Sequence, residues 1–445
     1  MDLNQHLGNV LSKPFRKVVT DKPRKIAFEI FTEVIRNGAY SNLLLPQKLQ
    51  TSGLDQRDKA FITELVYGSI RQLGRNDYIA AKFSSKPWSE VDAAIVDCIR
   101  LGAYQLFDMR VPTHAAVDAT VNLARQVAGE SKATFVNAIM RKLAAANLDS
   151  HLNDVQDDGV HSLSIRYSHP EWIINSYRDF ISNVDELKEL LQANNTPVKP
   201  VLVAWPTRSE PSEFSGVPGK YSPYAVHIDE IPSDIAAIRE RRAGIQDEGS
   251  QILSIAFAKA AAEKSNWLDL CAGPGGKASL LSYLAPANFI ANEISETRAN
   301  LVRQVVKEGT AVLVSDGREI QIAVDAILAD VPCTGLGALR RRPEVRWRRT
   351  PNDLSVLTKL QFELISHAVE LLPTGGVLGY ATCSPHMAET SAKCASIEKK
   401  LPVEKIDISE YLPSNLKDAT VNGYMQLWPH RHGTDAMFLA LYRKR

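Results

Sequence analysis

From Gln246 onward, six short apolar runs alternate with stretches of helical periodicity: residues 267–272, 289–294, 311–314, 326–329, 377–381 and 437–442. Each run is long enough for one strand and far shorter than the ~20 residues a bilayer span needs. Strands that alternate with helices build a parallel sheet covered on both faces. In such sheets ligands collect outside the carboxyl ends of the strands. The residues just past each apolar run are therefore the first candidates for chemistry.

Those residues are not ordinary loop residues. The first run leads into Asp269-Leu270-Cys271-Ala272-Gly273-Pro274-Gly275-Gly276-Lys277, a glycine-rich turn that opens a helix. Glycines admit close backbone approach, and a helix start offers free N–H groups. The spacing matches neither the dinucleotide fingerprint nor the phosphate loop, so a nucleoside ligand without a pyrophosphate is expected. Glu293 ends the second run, where an acid can hold ribose hydroxyls. Asp316 follows the third and is placed to accept an adenine amino hydrogen. Asp330 follows the fourth and faces the same cleft. Two thiols complete the set, Cys333 in Asp330-Val331-Pro332-Cys333 and Cys383 in Ala381-Thr382-Cys383-Ser384. Two cysteines facing a cofactor loop suggest covalent chemistry on a bound substrate. Spacing alone does not decide which of them attacks.

The remaining three cysteines carry weaker signals. Cys98 and Cys394 fall in helical patterns and read as small buried hydrophobes. Cys271 reads as a backbone contact inside the glycine turn. Five scattered cysteines make no disulfide framework, and no C-x-x-C pair suggests a zinc site, so no metal is expected. Free thiols and the absence of an apolar leader in residues 1–19 place the chain in the cytoplasm. A formal net charge of +1 excludes the whole chain as a polyanion binder. Any such binding must come from local charge.

Upstream, residues 1–22 form a basic tail, expected to be disordered. Residues 23–149 have helical spacing: Ile26, Ile30 and Val34 recur at four-residue intervals, as do Ile62, Val66 and Ile70. Asp55 or Asp58 can start one helix, Thr113 can cap another, and Gly129 can end it. A compact all-α bundle follows from the short connections. Residues 150–245 are proline-rich, with β-rich runs at 201–205 and 225–228 around a loop holding Gly216 and Gly219. They read as a small α+β connector. Residues 246–445 form the Rossmann-like α/β domain.

The order of DLCAGPGGK, DVPCTG and YATCS resembles the RNA cytosine-5 methyltransferases of the Nol1/Nop2/Sun family. The phrase at 246–251, Gln-Asp-Glu-Gly-Ser-Gln, resembles that family's segment before the cofactor strand. The N-terminal helices are similar to the RNA-binding NusB fold, in Leu54-Asp55-Gln56-Arg57-Asp58-Lys59-Ala60-Phe61 and Phe135-Val136-Asn137-Ala138. The resemblance implies a class I methyltransferase domain and S-adenosylmethionine, held by Cys271, Ala272, Gly273, Pro274, Gly275, Gly276, Lys277, Glu293, Asp316 and Asp330. It implies that Cys383 is the nucleophile and that Cys333 helps product release. Asp330, three residues before Cys333, is the natural acid for ring nitrogen 3. The implied partner is small-subunit (16S) ribosomal RNA before full subunit assembly, met by a monomer with no membrane attachment. Glu293 replaces a commoner Asp, and His386-Met387 departs from the family's acidic run.

Two further features invite a role. Six arginines lie among residues 340–349, with Trp347 between them, and are expected to contact RNA phosphates. His430 and His432, with Asp435 nearby, have a metal-pair spacing but read as a loop packed on the last strand. The target base must leave its stack to react, so a flipped or single-stranded cytosine is expected.

Overall fold

The structure is a computed structural model that describes residues 21–156 and 159–445. Residues 1–20 of the expected basic tail lie outside the described part. The chain divides into two compact units, Met1–Val155 and Gln156–Arg445.

The first unit is helical: α1 (Lys22–Arg36), α2 (Ser41–Gln50), α3 (Gln56–Arg71), α4 (Leu73–Ala81), α5 (Ala93–Phe107), α6 (Thr113–Ala128) and α7 (Glu130–Leu143). Asp21, Asp55 and Asp92 cap α1, α3 and α5 by accepting backbone N–H groups of the first turn. Thr113 is not a cap. It is the first helical residue of α6, and Pro112 holds the cap position with extended backbone. The φ of Pro112, −54°, is helical, but its ψ of 134° is extended, so the helix starts one residue later, at Thr113. Gly129 ends α6 at φ 89°, a value that favours glycine. The apolar stripes become core: α1 buries Ala27, Ile30, Phe31 and Val34, and α3 buries Ile62, Leu65, Val66 and Ile70. Each such side chain stabilises the fold by about 2 kcal/mol. α5 packs against α3, α6 and α7. Gly68 permits the closest of these approaches, since a Cβ there would sit 1.9 Å from the Tyr104 ring.

The second unit holds two sheets. The smaller is antiparallel, built from β1 (Val201–Ala204), β2 (Val217–Pro218), β3 (Ala225–His227) and β4 (Ala243–Ile245) in the order β2-β3-β1-β4. The larger contains β5 (Asn266–Asp269), β6 (Asn288–Asn292), β7 (Ala311–Leu313), β8 (Ala326–Asp330), β9 (Val377–Thr382), β10 (Val403–Ile406), β11 (Thr420–Val421), β12 (Tyr424–Gln426) and β13 (Phe438–Lys444). Its order is β11-β12-β13-β9-β8-β5-β6-β7, with β10 also paired to β13.

Strands β5 to β9 are mutually parallel. The run at 437–442, expected as one more parallel strand, is antiparallel to β9, β10 and β12. β13 is entered from β12 through the loop at 427–437, and antiparallel neighbours need no helical crossover. The sheet is therefore mixed. Its strands alternate between two cores. Trp267, Leu328 and Ala381 face helices Glu248–Ala260 and Gly276–Leu284. Leu268, Ile327 and Tyr380 face helices Pro351–Leu371 and Ser391–Lys400. Burial on both faces leaves the strand ends as the open edge. Among the described residues, no helix is long and apolar enough to cross a membrane.

Candidate active site

Because β5, β6, β7, β8 and β9 run parallel, all five carboxyl ends lie along one edge. Register fixes them closely: Asp269 pairs with Ala291 and Leu328, and Asp330 pairs with Ala381.

The glycine turn leaves β5 and enters helix Gly276–Leu284. Gly275 caps it at φ +114°, and a Cβ there would strike Val305 at 2.5 Å. No side chain caps this helix, so its first-turn N–H groups stay available. The Ala272 N–H donates to the Asn292 carbonyl at 2.8 Å, tying the turn to the end of β6. Next along the edge, buried Glu293 accepts from the Gly273 and Ser295 N–H groups, each at 3.0 Å, with Arg298 3.3 Å away. Asp316 is engaged by Arg318 through its Nε at 3.0 Å and its Nη2 at 2.6 Å, and this pairing holds the carboxyl below its ordinary range. Lys277 reaches across to Asp330 at 2.7 Å. Burial works against the Lys277 charge, but Asp330 more than offsets it and the amine is held above its ordinary value.

Past β8 and β9 the two thiols meet, with Cys333 Sγ and Cys383 Sγ 3.3 Å apart. Cys333 is pushed well above the usual thiol range, first by its hydrogen bond to Cys383 and then by burial. Cys383 is lowered, chiefly because it receives that hydrogen bond, with Lys277 and Arg342 adding to the effect against burial and Asp330. Cys271 is pushed up by burial and then by Asp269. Of these three thiols, only Cys383 is shifted toward the thiolate, the nucleophilic form. The structure brings together two cysteines that lie 50 residues apart in sequence.

The arginine run is not a uniformly solvated phosphate patch. Arg340 and Arg346 are buried, whereas Arg341, Arg342, Arg348 and Arg349 are partly exposed. Arg340 is buried between Asp247 at 2.7 Å and Asp435 at 3.0 Å, and Arg341 also pairs with Asp435. Arg346 is fully buried and donates to the Ser168 carbonyl, Asn195 Oδ1 and the Asn194 carbonyl. The acids and carbonyls that receive these guanidinium groups lie far away in sequence. His430 binds Glu186 at 3.0 Å, and His432 accepts from the Trp428 N–H at 2.8 Å. Among the described residues, no cluster of three metal-ligating side chains occurs.

Two acids at this edge were not singled out by the sequence. Asp269 is fully buried, its carboxylate oxygens make no hydrogen bond, and burial followed by Asp330 raises it to about 8. Its place as the last residue of an apolar run was the available signal. Glu389 is fully buried and binds the loop of Cys333. Nothing in the local pattern marks it.

A Rossmann-like sheet with a glycine turn, a line of strand-end acids and a paired thiol defines an α/β methyltransferase carrying an N-terminal NusB-like unit. The family model described as 16S rRNA methyltransferase RsmB/F matches residues 256–443, and the NusB family model matches residues 21–145. The chain belongs to the 16S rRNA methyltransferase RsmB/F family. It is 39% identical to putative methyltransferase Rv1407 of Mycobacterium tuberculosis, over 96% of this chain and 98% of that protein. It is 30% identical to ribosomal RNA small subunit methyltransferase B of Salmonella arizonae, over 85% of this chain and 90% of that protein. The solved structure of PH0851 shares the fold, with a TM-score of 0.78 at 19% identity, covering 96% of this chain and 99% of that one.

Proposed function

We propose that this protein transfers a methyl group from S-adenosylmethionine to carbon 5 of a cytosine in 16S ribosomal RNA, through a covalent bond between Cys383 and carbon 6. The observation that carries this reading is the pair of sulfurs 3.3 Å apart, next to the Lys277–Asp330 ion pair. The name of the Salmonella relative, a small-subunit ribosomal RNA methyltransferase, supports the substrate class.

The residues present fit the cofactor. Glu293 and Asp330 place carboxylates beside the glycine turn, and Asp269 is buried beneath it, a lining that disfavours a pyrophosphate and suits a cationic sulfonium. Asp269 and Asn292 Oδ1 are buried polar groups without hydrogen bonds, open to a ligand's donors. The Gly276 Cα faces open space, so the backbone can be approached there. When bound, the cofactor supplies an electrophilic methyl group. The turn from Cys271 to Lys277, with Glu293, Asp316 and Asp330, would hold it.

The Cys383 thiolate adds to carbon 6, and the ring's displaced electron pair makes carbon 5 nucleophilic. Asp330, oriented by Lys277, takes the nitrogen 3 edge. Once carbon 5 carries the methyl group, solvent water takes the carbon 5 proton, the C–H electron pair re-forms the 5,6 double bond, and Cys383 leaves carbon 6 as a thiolate steadied by a hydrogen bond from Cys333. The NusB-like unit adds affinity for RNA not yet enclosed in the assembled subunit. A monomer in the reducing cytoplasm, which keeps both thiols free, is sufficient for this chemistry.

Bisulfite sequencing of 16S ribosomal RNA from cells with and without this protein is the direct test. One protected cytosine should become convertible when the protein is absent. Identical conversion profiles would overturn the reading.

A further inference from the structure

We propose that Glu389 is a positioning residue that makes the two thiols unequal, keeping Cys333 as the proton donor and leaving Cys383 as the nucleophile. The proposal rests on the reading of this pair as the catalytic thiols and assigns the residue that sets their roles.

Glu389 is fully buried, yet every side-chain hydrogen bond it makes is one it accepts. Its Oε1 receives the Thr334 N–H at 2.9 Å and a Gln361 Nε2–H at 3.0 Å. Its Oε2 receives the Thr334 hydroxyl. Both carboxyl oxygens of Glu389 thus act as acceptors, the hydrogen-bonding pattern of a carboxylate. The Tyr380 hydroxyl donates to the Glu389 carbonyl at 2.7 Å and fixes the backbone beneath it.

These contacts enclose Cys333 from both sides. The same Gln361 amide donates to the Pro332 carbonyl at 3.0 Å, so the residues before and after Cys333 are anchored to one acid. The clamp continues to the other thiol. Thr334 has given its only hydroxyl proton to Glu389, so Thr334 Oγ1 must accept from Ser384 Oγ, 3.0 Å away. Ser384 in turn accepts the His386 N–H at 3.2 Å. Ser384 is the immediate neighbour of Cys383. One buried acid therefore fixes both loops at the point where the sulfurs meet.

The charge matters as well as the clamp. Glu389 is anchored one residue from Cys333, and a fixed anion disfavours a second anion beside it. Cys333 is raised first by its hydrogen bond to Cys383 and then by burial, with Glu389 and Asp330 adding to these. Cys383 instead faces the cations Lys277 and Arg342, with Asp330 opposing; Arg341 is also influenced by its charge. The acid is anchored on the Cys333 loop, and its clamp holds the two sulfurs 3.3 Å apart, where one can donate to the other.

The test is limiting alkylation of the full-length protein with iodoacetamide, with labels at Cys333 and Cys383 counted by peptide mass spectrometry. Wild type should carry label on Cys383 well ahead of Cys333. Glu389→Gln keeps the shape and removes the charge, and it should narrow that ratio by about tenfold. Glu389→Asp keeps the charge and should restore most of the preference. An unchanged ratio in folded Glu389→Gln would reduce Glu389 to a structural role and overturn the proposal. The pH dependence of labelling in wild type keeps the proposal open to refutation should the variant fail to fold. Cys383 should become reactive at distinctly lower pH than Cys333, and coincident profiles would overturn it. Normal labelling in a protein that leaves 16S RNA unmethylated would sink the functional reading and leave this one standing.

Discussion

Asp269 and Asp435 are both fully buried aspartates in the same unit, and they behave oppositely. Asp269 stands at the strand-end edge with no hydrogen bond, and burial raises it to about 8. Asp435 lies in the knot of residues 340–349. Burial pushes it up too, but Arg341 and Arg340 more than reverse the effect and hold it low. The edge leaves polar groups unsatisfied, whereas the knot gives its acid direct guanidinium partners. A buried polar group without a protein partner points to a ligand, and one that is fully paired points to structure. By that criterion the sheet edge is the part open to a ligand, and Arg340, Arg341 and Arg346 belong to the fold.

The largest expected effect is at the edge. Cys383→Ala should reduce methyl transfer to the no-enzyme level while leaving cofactor affinity nearly intact, as read by transfer of labelled methyl to 16S RNA and by equilibrium binding. Full turnover in that variant would remove the nucleophile from this edge.

In the knot the loss should be stability, not catalysis. Arg340→Ala leaves Asp247 and Asp435 less well compensated, and removing one partner of a buried pair typically costs about 3–5 kcal/mol. Urea unfolding measures it. The salt dependence of RNA binding should keep its slope. A slope shallower by about one, with stability unchanged, would return Arg340 to a phosphate contact.

Cys333→Ala removes the S–H that lowers Cys383. The rate-limiting ionisation of Cys383 should move to higher pH in single-turnover alkylation. The variant should also accumulate a protein–RNA adduct that survives denaturing electrophoresis. An unmoved profile with no adduct would separate the two thiols functionally.

The smallest effect is on Asp269. Its folded-state value, about 8, lies above that of an unfolded aspartate, near 4. The unfolded chain therefore sheds a proton that the folded chain keeps. Stability is lost as pH rises between those two values and is constant beyond them. Asp269→Asn escapes this loss, so its melting-temperature gap over wild type should widen from pH 5 to pH 8. A gap independent of pH would mean that Asp269 is already compensated, and the contrast with Asp435 would fail.

The strand-end residues were legible because a strand fixes the position of whatever follows it within two or three residues. Asp330, Cys333 and Cys383 needed only a correct strand assignment and a parallel register. The same logic gave α1 and α3 from apolar spacing. It failed for Thr113, where Pro112 outranked the better capping side chain. It failed for the run at 437–442, because an apolar strand reads alike in either direction. Glu389, and the arginine pairing of Asp435, were invisible for a different reason. Their partners, Thr334 and Gln361 for one, Arg340 and Arg341 for the other, are distant in sequence.

The amino-acid order by itself marked the helical N-terminal part, the glycine turn and, Asp269 and Glu389 excepted, the groups at the sheet edge, because periodicity and strand ends are local properties. Only the tertiary structure decided which arginines turn inward, that the two cysteine sulfurs lie 3.3 Å apart and that Glu389 is buried beside them. Those outcomes depend on burial and on charges brought together across long separations, and neither can be read from neighbouring residues.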